Sequence, residues 1–186
     1  MNLDNLVLDG VNFEDSDLSF AHLDFTHLVK ALFKNSSLVG AYLWAADLRE
    51  ADFRWADVRG ADLGRAKLGL AWMSGGNFYR ANFFKADLKN ASLVGANMQD
   101  LQTMSGSNMD GVIGVRADFS NAHISGPEPV SMKGAYLRGS IFHKTILKGV
   151  DLRNTDFAEA DLSEADLTGA DLRGANLMGA DLRGAT

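Results

Sequence analysis

The chain repeats every five residues over almost its whole length. From Ala160 the units read ADLSE, ADLTG, ADLRG, ANLMG and ADLRG, followed by Ala185-Thr186. Taking the large apolar residue of each unit as its centre, the centres fall at every fifth position from Leu3 to Met98. The phase then slips by one residue, and Met104, Met109, Gly114, Phe119 and Ile124 carry it on. After a longer interruption it resumes at Met132 and continues to Leu182. Of the 36 centres, Gly114 alone is not large and apolar. A short period sustained over a whole chain is the mark of a repeat architecture and outranks local propensity.

Five suits neither regular element. On an α-helix each step of five rotates the side chain by about 140°, so the centres would spiral over every face. In an unbroken strand, residues five apart point to opposite sides. All centres share one core only if the chain bends once per unit. The residue two before each centre then also faces inward and must be small. It is Ala, Ser, Thr, Gly or Val in 33 of 36 units, the exceptions being Met1, Leu6 and Gln102. The other three positions face solvent and carry mostly Asp, Asn, Arg, Lys, Glu, Ser and Gly. Glycine recurs at the last of them (Gly10, Gly40, Gly60, Gly95, Gly139, Gly169, Gly174), where a bend tolerates it best. The expected fold is an all-β solenoid with a filled core, in which Leu48, Phe53, Leu88, Phe157 and Leu172 are centres.

Units of the form Ala-Asp/Asn-Leu-x-Gly resemble the pentapeptide-repeat family over essentially the whole chain. The resemblance implies a right-handed quadrilateral β-helix with four units per coil. Thirty-six units then make about nine coils, a rod of roughly 43 Å at about 4.8 Å per coil.

A single domain spanning 1–186 is expected, with a phase slip near 99–103 and a surface loop over 125–131. That loop holds the only two prolines, Pro127 and Pro129, flanking Glu128. Proline cannot donate to a coil-to-coil ladder, so the segment should bulge outward. Around Gly114, Ile113 is expected to fill the vacant centre. There is no cysteine, which excludes disulfides, thiolate metal sites and a cysteine nucleophile. No apolar run approaches the roughly 18 residues of a membrane span, and no membrane contact is expected. The start, Met1-Asn2-Leu3-Asp4, lacks a basic secretory leader, so the expected compartment is cytoplasmic. The most regular units lie last, with no capping segment after Leu182. Either a homodimer through that final coil or a longer natural chain is expected.

The outward positions hold the candidates. Phe25, Tyr42, Trp44 and Phe84 fall on one face if residues 20 apart stack, and Trp55 and Trp72 fall on the opposite face. Exposed aromatics are enriched at protein interfaces, although they also stack as structural ladders. The loop Pro127-Glu128-Pro129 is a second candidate contact. The histidines, His22, His27, His123 and His143, read as surface residues, and no metal site or cofactor is expected. The aspartates recur with the repeat on a convex rod, whereas catalytic carboxylates want a cleft. Several stand two residues before an arginine, as in Asp47–Arg49, Asp52–Arg54, Asp57–Arg59 and Asp171–Arg173, which reads as local neutralisation. No phosphate loop, nucleophile elbow or zinc-helix motif is present.

The functional expectation is a non-enzymatic rigid scaffold that binds another protein. The alternative comes from the resemblance: some members of the family mimic duplex DNA and protect a type II topoisomerase, gyrase, from quinolones. Duplex DNA carries one negative charge per about 1.7 Å. Net charge −6 over this rod is one per roughly 7 Å. Residues 29–100 hold ten bases against seven acids, while residues 1–28 hold six acids and no base. Direct nucleic-acid binding is not expected between such acidic ends.

Overall fold

The computed structural model describes residues 1–186. It has neither helices nor extended strands. Each unit supplies one bridging residue, followed after its centre by a two-residue turn. The bridging residue precedes the centre and pairs in parallel with the residue 20 further on: Asn2 with His22, His22 with Tyr42, Tyr42 with Asp62. Four such ladders begin at Asn2, Val7, Asn12 and Asp17. A residue that points outward in a ladder leaves its two neighbours pointing inward. The small residue and the large centre therefore line the interior together.

The corner has a simple origin. The centre's carbonyl accepts the N–H of the residue three further on, as where Ala21 donates to Leu18 at 3.0 Å. The last residue of the unit takes a positive φ, the signature of a type II turn. Gly10 sits at 68° and Gly40 at 63°, but Asn5, Trp55 and Leu70 occupy the same region at 61°, 62° and 61°. An L-residue there costs roughly 1–2 kcal/mol. The continuous ladder on both sides of each corner holds the chain in it.

The core is one cluster of 50 buried residues. Leu48, Phe53, Leu88 and Phe157 are fully enclosed. Centres stack coil on coil: Phe13 on Phe33 at 5.6 Å, Phe33 on Phe53 at 4.8 Å, Phe119 on Phe142 at 4.7 Å. Leu172 departs from expectation and is half-buried. Like Leu3, Leu8 and Leu177, it packs on the core from one side only.

The irregular stretch differs from the sequence reading in two places. At the slip, Gln102 is exposed and Leu101 turns inward instead. The extra residue is thus extruded as a bulge. At the vacant centre, Ile113 does not fill the gap. It bridges Ser92 and is 43% exposed. A Cβ on Gly114 would lie 2.8 Å from Leu137 Cδ2, so a leucine of the following coil fills the space. The prolines lie on the surface, yet the loop is tied down. Gly106 N–H donates to the Glu128 carbonyl at 3.2 Å, Glu128 N–H donates to Ser105 Oγ at 3.2 Å, and Lys85 pairs with Glu128 at 3.1 Å.

Candidate functional site

The interior is packed with the chain's own side chains, so function has only the outer surface to use. The aromatics there fall into two groups.

On the face carrying Tyr42, the rings engage one another. His22 and Tyr42 stack at 4.7 Å. Trp44 and Phe84 stack at 6.3 Å with an interplanar angle of 18°. Between their coils stands Gly64, whose Cβ, if present, would lie 2.2 Å from Trp44. The missing side chain lets Trp44 lie flat on the rod. Arg65 caps Trp44 at 5.7 Å and Lys85 caps Phe84 at 5.3 Å. Trp44 and Phe84 are consequently half-buried rather than freely outward. Phe25 and Tyr42 remain exposed at 56% and 44%. Asp24 shares this face. Burial pushes its carboxyl above the usual value, which the Trp44 N–H bond only partly offsets.

On the face carrying Trp72, the rings have fewer partners. Trp55 folds over Gly75, where a Cβ would meet its ring at 2.3 Å, and still keeps 64% of its surface. Trp72 is 54% exposed, with only Arg54 across its ring at 5.4 Å. Leu70, Val94, Ile113 and Tyr136 are exposed beside or above it. Leu70 and Ile113 were not among the sequence candidates. Their signal was present, since both are large apolar residues at solvent-facing positions of the repeat. Three shallow depressions meet here, two sharing Leu70 and two sharing Trp72, and all three include Glu50.

The Pro127-Glu128-Pro129 loop stands over Lys85. It therefore adjoins the Phe84 end of the self-engaged face and lies apart from Trp72.

The aspartates form forks with arginine. Arg49 Nε and Nη2 donate to Asp47 at 2.7 and 2.7 Å, and Arg54 grips Asp52 in the same way. Arg59, Arg153, Arg173 and Arg183 do so with Asp57, Asp151, Asp171 and Asp181. Asp47 and Asp52 are buried, not solvent-facing as the repeat position implied. Burial pushes both carboxyls up, but the hydrogen bonds and charge of the arginines outweigh it and leave them below the usual value. The Arg173 and Arg183 forks hold Asp171 and Asp181 down at about 2. Carboxylates clamped in this way are poor general bases. No group of three or more His, Asp or Glu side chains is placed to hold a metal ion.

The family model "Pentapeptide repeats" matches residues 2–35, 26–65, 61–100, 130–154 and 145–184, leaving residues 101–129 unmatched between them. No curated protein matches the chain. Among solved structures the chain is similar to HetL, a pentapeptide repeat protein involved in heterocyst differentiation regulation from the cyanobacterium Nostoc sp. strain PCC 7120. Identity is 25%, coverage is 100% of this chain and 86% of HetL, and the TM-score is 0.55. It also matches a trypsin-treated form of QnrB1, a plasmid-mediated fluoroquinolone resistance protein, at 19% identity, 97% and 89% coverage and a TM-score of 0.45. A third match is a pentapeptide repeat protein of the Arabidopsis thaliana thylakoid lumen, at 27% identity, 61% and 68% coverage and a TM-score of 0.25.

Proposed function

This chain belongs to the pentapeptide-repeat family, a family of right-handed β-helix solenoids, and from that premise we propose that it is a non-enzymatic scaffold whose rigid outer surface binds another protein. One observation carries the reading. The interior is a continuous core of 50 buried residues, which leaves convex sides and shallow depressions as the surface available to a ligand. Chemistry needs a water-excluding site with reactive groups of shifted pKa. Most of the shifted carboxylates here are held ionised by arginine. HetL's involvement in regulation suits a rod that acts by contact.

The geometry of the scaffold follows from its ladders. A step of 20 residues supports four sides of five residues per coil. The repeat count then gives about nine coils and a length of roughly 43 Å.

Mimicry of duplex DNA toward a type II topoisomerase has less behind it. Of the thirteen ladder aspartates that would stand for phosphates, six are cancelled in place by Arg49, Arg54, Arg59, Arg153, Arg173 and Arg183. A supercoiling assay decides between the two: inhibition or quinolone protection of gyrase at micromolar protein would restore the mimic. The scaffold reading itself is tested by affinity capture from the source organism. A protein retained at near-stoichiometric ratio is expected. Capture of nothing beyond an unrelated tagged control would overturn it.

A further inference from the structure

We propose that the face carrying Trp72 is a docking strip for an amphipathic α-helix with acidic flanks, supplied by another protein. This rests on the scaffold reading and names its surface and the chemistry of its partner.

The strip is apolar where a rod's side should be polar. Leu70, Trp72, Val94, Ile113 and Tyr136 expose between 40% and 58% of their surface on successive coils. Trp72, Ile113 and Tyr136 stand in one ladder with Ser92 among them, and Leu70 and Val94 flank it at the two corners, so the strip is one side wide, about 10 Å between corners. That matches the 10–12 Å diameter of a helix. From Trp72 to Tyr136 is three coil steps, roughly 14 Å. Three helical turns span roughly 16 Å, so one apolar residue per turn meets each coil with a slight tilt.

The backbone narrows the choice of occupant. Along the strip, Ser92 N–H donates to the Ala71 carbonyl, Ile113 N–H to Ala91 and Tyr136 N–H to Val112, each at 2.9, 3.0 and 2.8 Å. With these groups spent on neighbouring coils, an extended peptide finds no edge to pair with. A helix satisfies its own backbone and brings only side chains.

Charge sets the flanks. Over residues 70–75, 90–95, 111–116 and 134–139 there is no Asp or Glu, and Glu50, which lines the depressions at the Leu70 end, is paired with Lys30 at 3.6 Å. Lys89 and Arg116 edge the strip and take part in no ion pair. A chain of net charge −6 thus presents one apolar strip with free cations beside it, which is complementary to an apolar helix face bordered by carboxylates.

The probe is a synthetic peptide of about 20 residues, long enough to hold a helix. It carries leucines on one face and glutamates on the flanks, and its twin has lysines in place of the glutamates. Binding is followed by calorimetry. The glutamate peptide should bind, and Trp72→Ser or Ile113→Ser should weaken it at least about tenfold, as loss of a central anchor does. Arg116→Glu should weaken it further, and Tyr42→Ser on the opposite face should leave it unchanged. Melting curves establish that each variant is folded, and Ile113→Ser serves if Trp72→Ser is not. No binding, equal binding of the lysine twin, or indifference to both strip variants overturns the proposal. So does a dimer in light scattering that Trp72→Ser dissolves. A captured host protein that still binds both strip variants sinks the strip but leaves the scaffold standing. The absence of any captured protein sinks the scaffold.

Discussion

Residues 21–98 and residues 99–131 are built from the same unit yet hold together by different means. In the first stretch every bridging residue pairs with the residues 20 before and 20 or 21 after it, from His22 to Asn97. Side chains there reinforce a ladder that is already complete, as in the Asp47–Arg49 fork and the bond from Trp44 N–H to Asp24. In the second, the ladder breaks once: Thr103 pairs below with Asn82, His123 pairs above with Ile146, and the two do not pair with each other. Side chains and loop backbone take over there. Ser105 Oγ accepts from Glu128, Lys85 pairs with the same glutamate, and Asp110 accepts from Lys133 N–H at 3.0 Å and from the Ser131 hydroxyl. The contrast teaches that periodicity fixes the backbone bonds, and each departure from it must be closed by specific polar contacts.

The largest break in that contrast should come from Phe53, which lies between Phe33 and Phe78 in the regular stretch. Phe53→Ala should cost about 3–5 kcal/mol in denaturant melts. A loss under about 1 kcal/mol would show that the regular stretch is not held by its core. Next is Gly64→Ala, whose new Cβ would overlap the Trp44 ring. It should cost about 1–3 kcal/mol through overpacking and shift Trp44 fluorescence toward that of solvent-exposed indole. The same substitution made in a Trp44→Ala background should cost less than about 0.5 kcal/mol, because the two residues are coupled. On the irregular side, Glu128→Ala removes an exposed ion pair and should cost less than about 1 kcal/mol. It should nevertheless speed amide exchange at Gly106, whose N–H bonds the Glu128 backbone, with little change at residues 21–98.

Acid sharpens the comparison least. The arginine forks lower the carboxyls of Asp47, Asp52, Asp151, Asp171 and Asp181. A carboxyl with a depressed folded value stabilises the fold above its unfolded value near 3.9, and that contribution is lost as pH falls toward the folded value. Melting temperature should therefore hold down to about pH 4 and fall between about 4 and 2, with Asp171→Asn and Asp181→Asn flattening the decline. A decline that begins near neutrality would contradict the assignment.

The fold was legible because a single rule, one bend per unit, decides which residues go inside. It placed Leu48 and Phe53 without any knowledge of neighbouring coils. What it could not see was the coil above or below. Gly114 is filled by Leu137, which stands 23 residues away and so belongs to another unit's reading. Trp44 follows its centre, at a turn, and faces Gly64 a coil later, so it folds down, whereas Trp72 precedes its centre, in the ladder, where it faces Ser92 and stays out. The burial of Asp47 and Asp52 likewise depends on arginine stems and adjoining coils. The candidate surface was thus half readable. The aromatic residues were plain, but their division into a self-engaged face and a vacant one is a matter of stacking at a distance of 20. Leu70 lacks an aromatic ring, and Ile113 reads from the sequence as the filler of the vacant centre at Gly114, a place that Leu137 takes.

The fixed stride between paired residues also constrains how the gene for such a protein can lengthen. An insertion of 20 codons adds one storey and leaves every side in line. An insertion of five would turn everything downstream by one side, carrying Ile113 and Tyr136 around the corner from Trp72. The two natural insertions, one residue at Gln102 and three before Met132, avoid this by looping out, so that Ser92, Ile113 and Tyr136 still stand one above another.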